Sequence, residues 1–339
     1  MGGFYRICLI PGDGIGPEVV GCARRVLEAL VEQSSGPGFA FEEHPAGNAS
    51  YRASGDPLPA ATVVAAKAAD GVLVGAMDVA AIPKEVPSPL SSLRRQLDVF
   101  ANLRPARTFR GVPAPMGEVD LMVVRENTEG IYSGIEYSAG PDAACGVRLI
   151  TRQASTRVAR AAFEQAMQRR RKVTAVHKLG ALKLTDSLFL DSVRSVAGEF
   201  PEVEYEARNI DACALEMVRG PQHFDVILAT NTFGDILSDV AAGLAGGLGL
   251  APSGCFGGQY AYFEPVHGSA PDIAGRGIAN PIAAILSAAF MLRHLGEPET
   301  AGRIERAVER VLEAGSPRTP DLGGAATSAE FTDALIEAL

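Results

Sequence analysis

Four sets of side chains in this 339-residue sequence have types and spacings that could do chemistry. Asp235 and Asp239 stand four residues apart, so a helix would put both carboxylates on one face. Like charges repel there, and no Lys or Arg lies within four residues of either to relieve them. A divalent cation is the simplest remedy. All-oxygen ligation selects Mg2+ or Mn2+ over zinc, with Asp211 as a candidate third ligand. The alternative is a helix N-terminus that favours acids through its dipole. Arg94, Arg104 and Arg125 each sit beside a helix or strand end. Three planar guanidinium forks would grip a di- or tricarboxylate if they converged; otherwise each makes a surface ion pair. Tyr132 and Lys178 each follow an apolar, strand-like run. Such a lysine can be desolvated into a general base, and such a tyrosine can donate a proton. Finally, Pro11-Gly12-Asp13-Gly14-Ile15-Gly16-Pro17 follows a strand and opens a helix. That context suits either a phosphate at a helix N-terminus or a tight structural turn. The third glycine comes one residue too early for GxGxxG, so the standard dinucleotide fingerprint is absent.

These groups need a scaffold, and apolar patterning supplies one. Phe4 to Ile10 reads as a buried strand. Pro17 to Glu32 reads as a helix, with Pro17 in its first turn and apolar spacing at Val19, Val20, Ala23, Val26, Leu27 and Leu30. Further strands are predicted over 71–74, 119–124, 172–176 and 224–228. Helices are predicted over 90–97, 156–170, 182–197, 210–218, 235–248 and 280–295. Alternation of this kind predicts α/β architecture. Residues 130–152 break it, with Tyr132, Ile135 and Tyr137, a turn-rich Ala139-Gly140-Pro141-Asp142, then Val147, Leu149 and Ile150. This reads as a β-hairpin arm whose apolar faces need a partner, hence a dimerisation element; the alternative is a hairpin packed on its own domain.

Composition bounds the partners. The 31 Lys+Arg against 40 Asp+Glu give a net charge of −9, and the pI is near 5.2, which argues against nucleic acid. The one basic run, Arg169-Arg170-Arg171-Lys172, reads as a solvated helix end. No apolar run reaches the ~18 residues of a membrane span. The N-terminus lacks the pattern of a secretory signal. Five widely spaced cysteines without CxxC fit free thiols in a reducing compartment, so a cytoplasmic protein is expected.

Taken in order, the strings resemble one family. Ile10-Pro11-Gly12-Asp13-Gly14-Ile15-Gly16-Pro17-Glu18, Leu93-Arg94 through Leu103-Arg104-Pro105, and Arg125-Glu126-Asn127-Thr128-Glu129-Gly130-Ile131-Tyr132 come first. His177-Lys178, Phe233-Gly234-Asp235-Ile236-Leu237-Ser238-Asp239, and Glu264-Pro265-Val266-His267-Gly268-Ser269-Ala270-Pro271-Asp272-Ile273-Ala274-Gly275 follow. Together they resemble the isocitrate/isopropylmalate dehydrogenase family, nearest to its NAD-dependent isocitrate and homoisocitrate branches. The resemblance implies a non-Rossmann α/β fold in which two α/β domains share a large mixed sheet. Residues 1–99 plus 246–339 would form a discontinuous cofactor-binding domain. Residues 100–245 would form the substrate, metal and dimerisation domain, with its arm at about 130–152. It further implies homodimers with shared active sites, and NAD- and metal-dependent oxidative decarboxylation of a 3-substituted malate. On that basis Arg94, Arg104 and Arg125 should hold the malate carboxylates. Asp235 and Asp239, with Asp211 from the partner, should hold Mg2+ or Mn2+. Lys178, also from the partner, should take the C2 hydroxyl proton as hydride leaves for nicotinamide, and Tyr132 should protonate the enol carbon. Ile10, Gly12, Glu264, His267, Gly268, Ser269, Ala270, Asp272, Ile273 and Asn280 should line the cofactor site. Asp272-Ile273, where NADP-using relatives carry basic or phenolic residues, implies NAD.

The group on C3 is read by the residues before Arg94. Ser88 is kept from the isocitrate pattern, while Leu90 stands at its Asn place. Leu90 fits an isopropylmalate pocket, and Ser91 does not. The Arg125–Gly130 string leans towards the isocitrate and homoisocitrate branches, so an acidic arm is favoured. An isopropyl group or a specialised biosynthetic substituent is the alternative. A rival of another class is a non-catalytic regulatory subunit. Such subunits tend to lose the tyrosine, the lysine or the acids, all of which are present here.

Overall fold

The computed structural model describes residues 3–33 and 36–339. Its strands are β1 (Phe4–Ile10), β2 (Gly38–Glu43), β3 (Gly71–Val74), β4 (Ala101–Arg107), β5 (Asp120–Glu126) and β6 (Glu136–Ser138). They continue with β7 (Ala144–Gly146), β8 (Lys172–His177), β9 (Glu204–Asn209), β10 (Val226–Ala229), β11 (Pro252–Phe256) and β12 (Ala261–Pro265). Among the described residues ten strands form one sheet, ordered β2-β1-β3-β12-β11-β4-β5-β10-β8-β9. Its two wings are parallel, and β12, β11, β4 and β5 are antiparallel in the middle. Helices cover both faces, which is why the runs 7–10, 71–74 and 226–229 are buried at every position.

Among the described residues four apolar cores hold these layers together. Two draw on residues 7–99 and 250–335, with Phe109 added. The buried residues of the other two lie within 101–245, with half-buried Phe256 and Phe290 packed against one of them. The chain thus crosses from one pair of cores to the other at 99–101 and returns at 245–250, while the sheet runs through both.

Strands stand where the apolar runs predict them, and five more appear that the pattern hides. β2 and β9 are edge strands, half exposed and rich in Glu. β4 carries Arg104 and Pro105 in its middle, and β11 and β12 are only five residues long. Two helices start four residues earlier than predicted. Thr151 caps Arg152–Met167 by accepting from Ala154 N, and Asn231–Ala245 begins directly after Thr230. The helix expected over 280–295 spans Ile282–His294, because Pro281 and the Asn280 side chain cap it.

The arm is a hairpin of β6 and β7, closed at its root by a bridge between Gly130 and Leu149. Ile131, Ile135, Tyr137, Val147 and Leu149 are exposed on it. The basic run is only in part a solvated helix end: Arg170 and Arg171 are exposed just beyond the helix Arg152–Met167, but the run is also tied into the fold. Arg169 is paired with Asp120 and the buried Asp225, Arg170 donates to the carbonyls of Asp120 and Phe224, and Lys172 faces Glu204 and Glu206. No described helix is long and apolar enough to cross a membrane.

Candidate active site

The central antiparallel strands place two guanidinium groups side by side. Asn102 on β4 lies opposite Arg125 on β5, so Arg104, two residues on, faces the same side as Arg125. The helix Asn231–Ala245 packs over that side. A Cβ on Gly234 would lie 2.8 Å from Cβ and Cγ of Arg125, so only glycine lets the helix sit this close. Asp235 then reaches both arginines. Its Oδ1 accepts Nη1 of Arg125 at 2.5 Å and Nη1 of Arg104 at 3.1 Å. Its Oδ2 accepts the Tyr132 hydroxyl at 2.8 Å, and the Tyr132 ring stacks 5.2 Å from the Arg125 guanidinium. Asn231 completes the cage, accepting Nη2 of Arg125 at 2.7 Å.

This geometry corrects the argument that Asp235 and Asp239 lack any basic relief. The relief comes across the sheet, from residues more than a hundred positions away in sequence. Burial pushes the Asp235 carboxyl up, but Arg125, Arg104 and the Tyr132 hydroxyl outweigh it and hold it below the ordinary range. Asp239 is pushed up by burial and by Asp235, which Arg104, 3.9 Å away, and Arg125 do not offset. Burial and the neighbouring Arg104 and Arg94 push Arg125 down to about 10. The three arginines therefore feel one another, and a di- or tricarboxylate is the guest that such a cluster suits.

Arg94 approaches from the last turn of the helix Pro89–Gln96, whose N-cap Ser88 accepts the backbone N–H of Ser91 at 3.3 Å. Leu90 and Ser91 are half-buried on that helix. The Arg94 fork is fixed in a buried cluster. Nε donates to the Tyr262 hydroxyl at 3.0 Å and Nη2 to Glu264 Oε1 at 3.1 Å. The Tyr262 hydroxyl and the Cys255 thiol also donate to that oxygen, at 3.2 and 3.6 Å. Glu264, expected at the cofactor site, is thus turned towards Arg94.

Lys178 and Asp211 form a second, separate group. β8 pairs with β9 in parallel, His177 opposite Asn209, so the residues just beyond the two strand ends meet. Lys178 Nζ donates to Asp211 Oδ2. Neither contacts Asp235 or Asp239 within one protomer, and no group of three His, Cys, Asp or Glu among the described residues could hold a metal. Asp235 and Asp239 share a helix face and suit a hard cation as carboxylate donors, Asp239 exposed and needing a counter-charge, Asp235 once its oxygens are released from Arg104, Arg125 and Tyr132.

The cofactor candidates gather at the far end of β1, where Ile10 is fully buried. Gly12 has φ +73°, and a Cβ there would lie 2.2 Å from the Ala76 carbonyl oxygen. Gly14 abuts the loop after β12: Ile15 N donates to the Ser269 carbonyl at 2.9 Å. In that loop Gly268 and Asp272 are exposed, Ile273 is half-buried, and Ala270 has φ +39°. His267 Nε2 is buried without a hydrogen-bond partner, a polar atom left for a bound group. Asn280 donates to Asp321 at 2.9 Å and is committed to the protein itself. Sequence reasoning missed Tyr262, Asn231 and Asp13. Asp13 collects three backbone N–H groups, from Asn48, Ala49 and Asp78, at 2.7 to 2.8 Å. Only the position of Asp13 between two turn glycines pointed to it.

A family model described as isocitrate/isopropylmalate dehydrogenase matches residues 6–338. The chain belongs to that family. It is therefore an enzyme, a dehydrogenase acting on the CH–OH group of its donor. The family decarboxylates 3-substituted malates, depends on a metal and uses NAD(P). Among its relatives, the isocitrate/homoisocitrate dehydrogenase of Thermus thermophilus is 52% identical over 339 residues, covering 99% of this chain and 98% of that one. The 3-isopropylmalate dehydrogenase of Archaeoglobus fulgidus is 47% identical, covering 98% and 99%. Among solved structures, the isocitrate dehydrogenase of Methylococcus capsulatus superposes with a TM-score of 0.93 at 45% identity, covering 98% and 99%. These names span two substituents at C3.

Proposed function

We propose that this chain is an NAD-dependent, Mg2+- or Mn2+-dependent dehydrogenase that oxidatively decarboxylates an isocitrate- or homoisocitrate-type malate, as a homodimer with shared sites. The observation that carries this reading is the split of the machinery within one protomer. Tyr132, Arg104, Arg125, Asp235 and Asp239 face one cluster, with Arg94 near enough for its charge to act on Arg125 and Asp235, while Lys178 and Asp211 point elsewhere as a pair. A second copy that lends its lysine and acid would complete both sites at once. The exposed apolar arm supports this, as does exposed Ile236 between the two acids. Residues 1–99 plus 246–339 would carry the cofactor and 100–245 the substrate. The free thiols support a cytoplasmic enzyme.

In this reading Asp235 and Asp239, with the partner's Asp211, would hold the cation, which would supply Lewis-acid polarisation of the substrate, and the loop around 267–273 would hold NAD as the hydride acceptor. Arg94, Arg104 and Arg125 hold the substrate carboxylates. The partner's Lys178 removes the C2 hydroxyl proton, and the Tyr132 hydroxyl returns a proton to C3 after carbon dioxide leaves. Asp272, exposed in its loop, would hydrogen-bond a ribose diol and repel a 2′-phosphate, which supports NAD over NADP. Half-buried Leu90 supports a second reading, an isopropyl or other specialised substituent. A regulatory subunit is disfavoured, because the whole cluster is assembled.

The test is nicotinamide absorbance with Mg2+ against a panel of 3-substituted malates, with NAD and NADP in parallel. Fastest turnover of isocitrate or homoisocitrate with NAD is expected. Preference for isopropylmalate selects the second reading, and no turnover of any member rejects both.

A further inference from the structure

Asp186 is fully buried and has no part in the site described so far. It lies in the first turn of the helix Lys183–Ala197. Its Oδ2 accepts the backbone N–H of Lys178 at 2.6 Å, and its Oδ1 accepts Nη1 of Arg148 at 2.8 Å. Arg148 stands at the root of the arm, beside the Gly130–Leu149 bridge. Its Nη1 also donates to Thr185 at 2.7 Å, and its Nη2 donates to the Thr230 hydroxyl at 3.0 Å. Its guanidinium carbon lies 5.2 Å from the centre of the Phe233 ring. Thr230 is the N-cap of the helix that carries Asp235 and Asp239, and Phe233 lies in its first turn. One ion pair therefore touches the Lys178 turn, the arm root and the start of the acid-bearing helix.

A buried ion pair is a poor device for stability, since desolvation cancels much of the attraction and an apolar filling of the same volume does as well. What it supplies is direction. The Arg148 fork has fixed acceptors on two elements, and each Asp186 oxygen has a fixed donor.

We propose that Asp186 and Arg148 are a positioning pair that sets the Lys178 turn and the Asp235 helix in one frame. The proposal rests on the shared-site reading above. The lysine that a protomer lends and the carboxylates that it keeps are then aligned by the same two charges.

The experiment compares two variants with the wild-type dimer. Asp186→Asn/Arg148→Gln removes both charges with little loss of volume, and Arg148→Lys keeps a charge while losing the fork. Melting temperature, kcat and KM for the best malate, and Mn2+ affinity of the cofactor-free dimer are measured. Melting close to wild type is expected, with kcat or Mn2+ affinity down by about tenfold or more and KM nearly unchanged. Wild-type kcat and wild-type Mn2+ affinity in both variants overturn the proposal. So does a loss of activity that only tracks the fraction of unfolded protein. Should the double variant fail to fold, Arg148→Lys decides alone. If the wild type turns over no malate, the functional reading fails, and the Mn2+ titration still judges the pair: unchanged affinity overturns it.

Discussion

Asp235 is the residue on which the site's charges converge. Two guanidinium groups and a phenol share its two oxygens, which leaves Asp239, four residues on, short of positive charge. A carboxylic guest would compete with Asp235 for the arginines and free its oxygens for a cation. The Tyr132 hydroxyl is pushed up by burial and by Asp235, so it stays protonated and ready to donate at neutral pH. Tyr132→Phe and Lys178→Ala should each lower kcat by about 10²- to 10⁴-fold without dissociating the dimer. Rates near wild type in either variant, measured with the malate that the panel selects, would refute the role given to that residue.

At the scale of elements, sequence showed the strands with unbroken apolar runs and the helices between them. It did not show why Asp235 and Asp239 are tolerated together, because their relief comes from β4 and β5. Pairing register is a tertiary fact, and the polar interruptions Arg104 and Pro105 hid β4 itself. The converging arginines could be named but not joined, and Tyr262, a buried tyrosine with an ordinary sequence context, gave no signal at all. The close approach of the Asn231–Ala245 helix to β5 leads to a specific expectation for Gly234→Ala. The new methyl would meet Arg125 at 2.8 Å, so the helix must shift. A loss of about 1–3 kcal/mol in denaturant melts is expected, with a larger proportional fall in kcat. The β8–β9 pair, which brings Lys178 to Asp211, is tied by Glu206. Burial would raise that carboxyl, but Thr174, His223, Lys172 and Arg208 together hold it down to about 2. A depressed carboxyl stabilises the fold at pH values above its unfolded pKa of about 4.3, and that contribution is lost as pH falls towards the folded value. The stability gap between wild type and Glu206→Gln should therefore be constant above about pH 5 and close as pH falls towards about 2. A gap that persists unchanged through the acid limb contradicts the assignment.

For the whole molecule, the shared-site proposal makes each protomer the holder of two half-sites, the Asp235 cluster and the Lys178–Asp211 pair. Exposed Ile131, Ile135, Tyr137, Val147 and Leu149 on the arm are the surface that a second copy would cover. Ile135→Asp with Val147→Asp should turn the dimer into a folded, inactive monomer, read by sedimentation and far-UV circular dichroism. A monomer of full activity contradicts the shared site. The most direct measurement is subunit complementation. Tyr132→Phe and Lys178→Ala chains, each nearly inactive, are unfolded together in equal amounts and refolded. Random pairing makes half of the dimers mixed, and each mixed dimer has one site with both residues intact. About a quarter of wild-type activity should return. If each chain built its own site, every site would carry one lesion, and mixing would restore nothing.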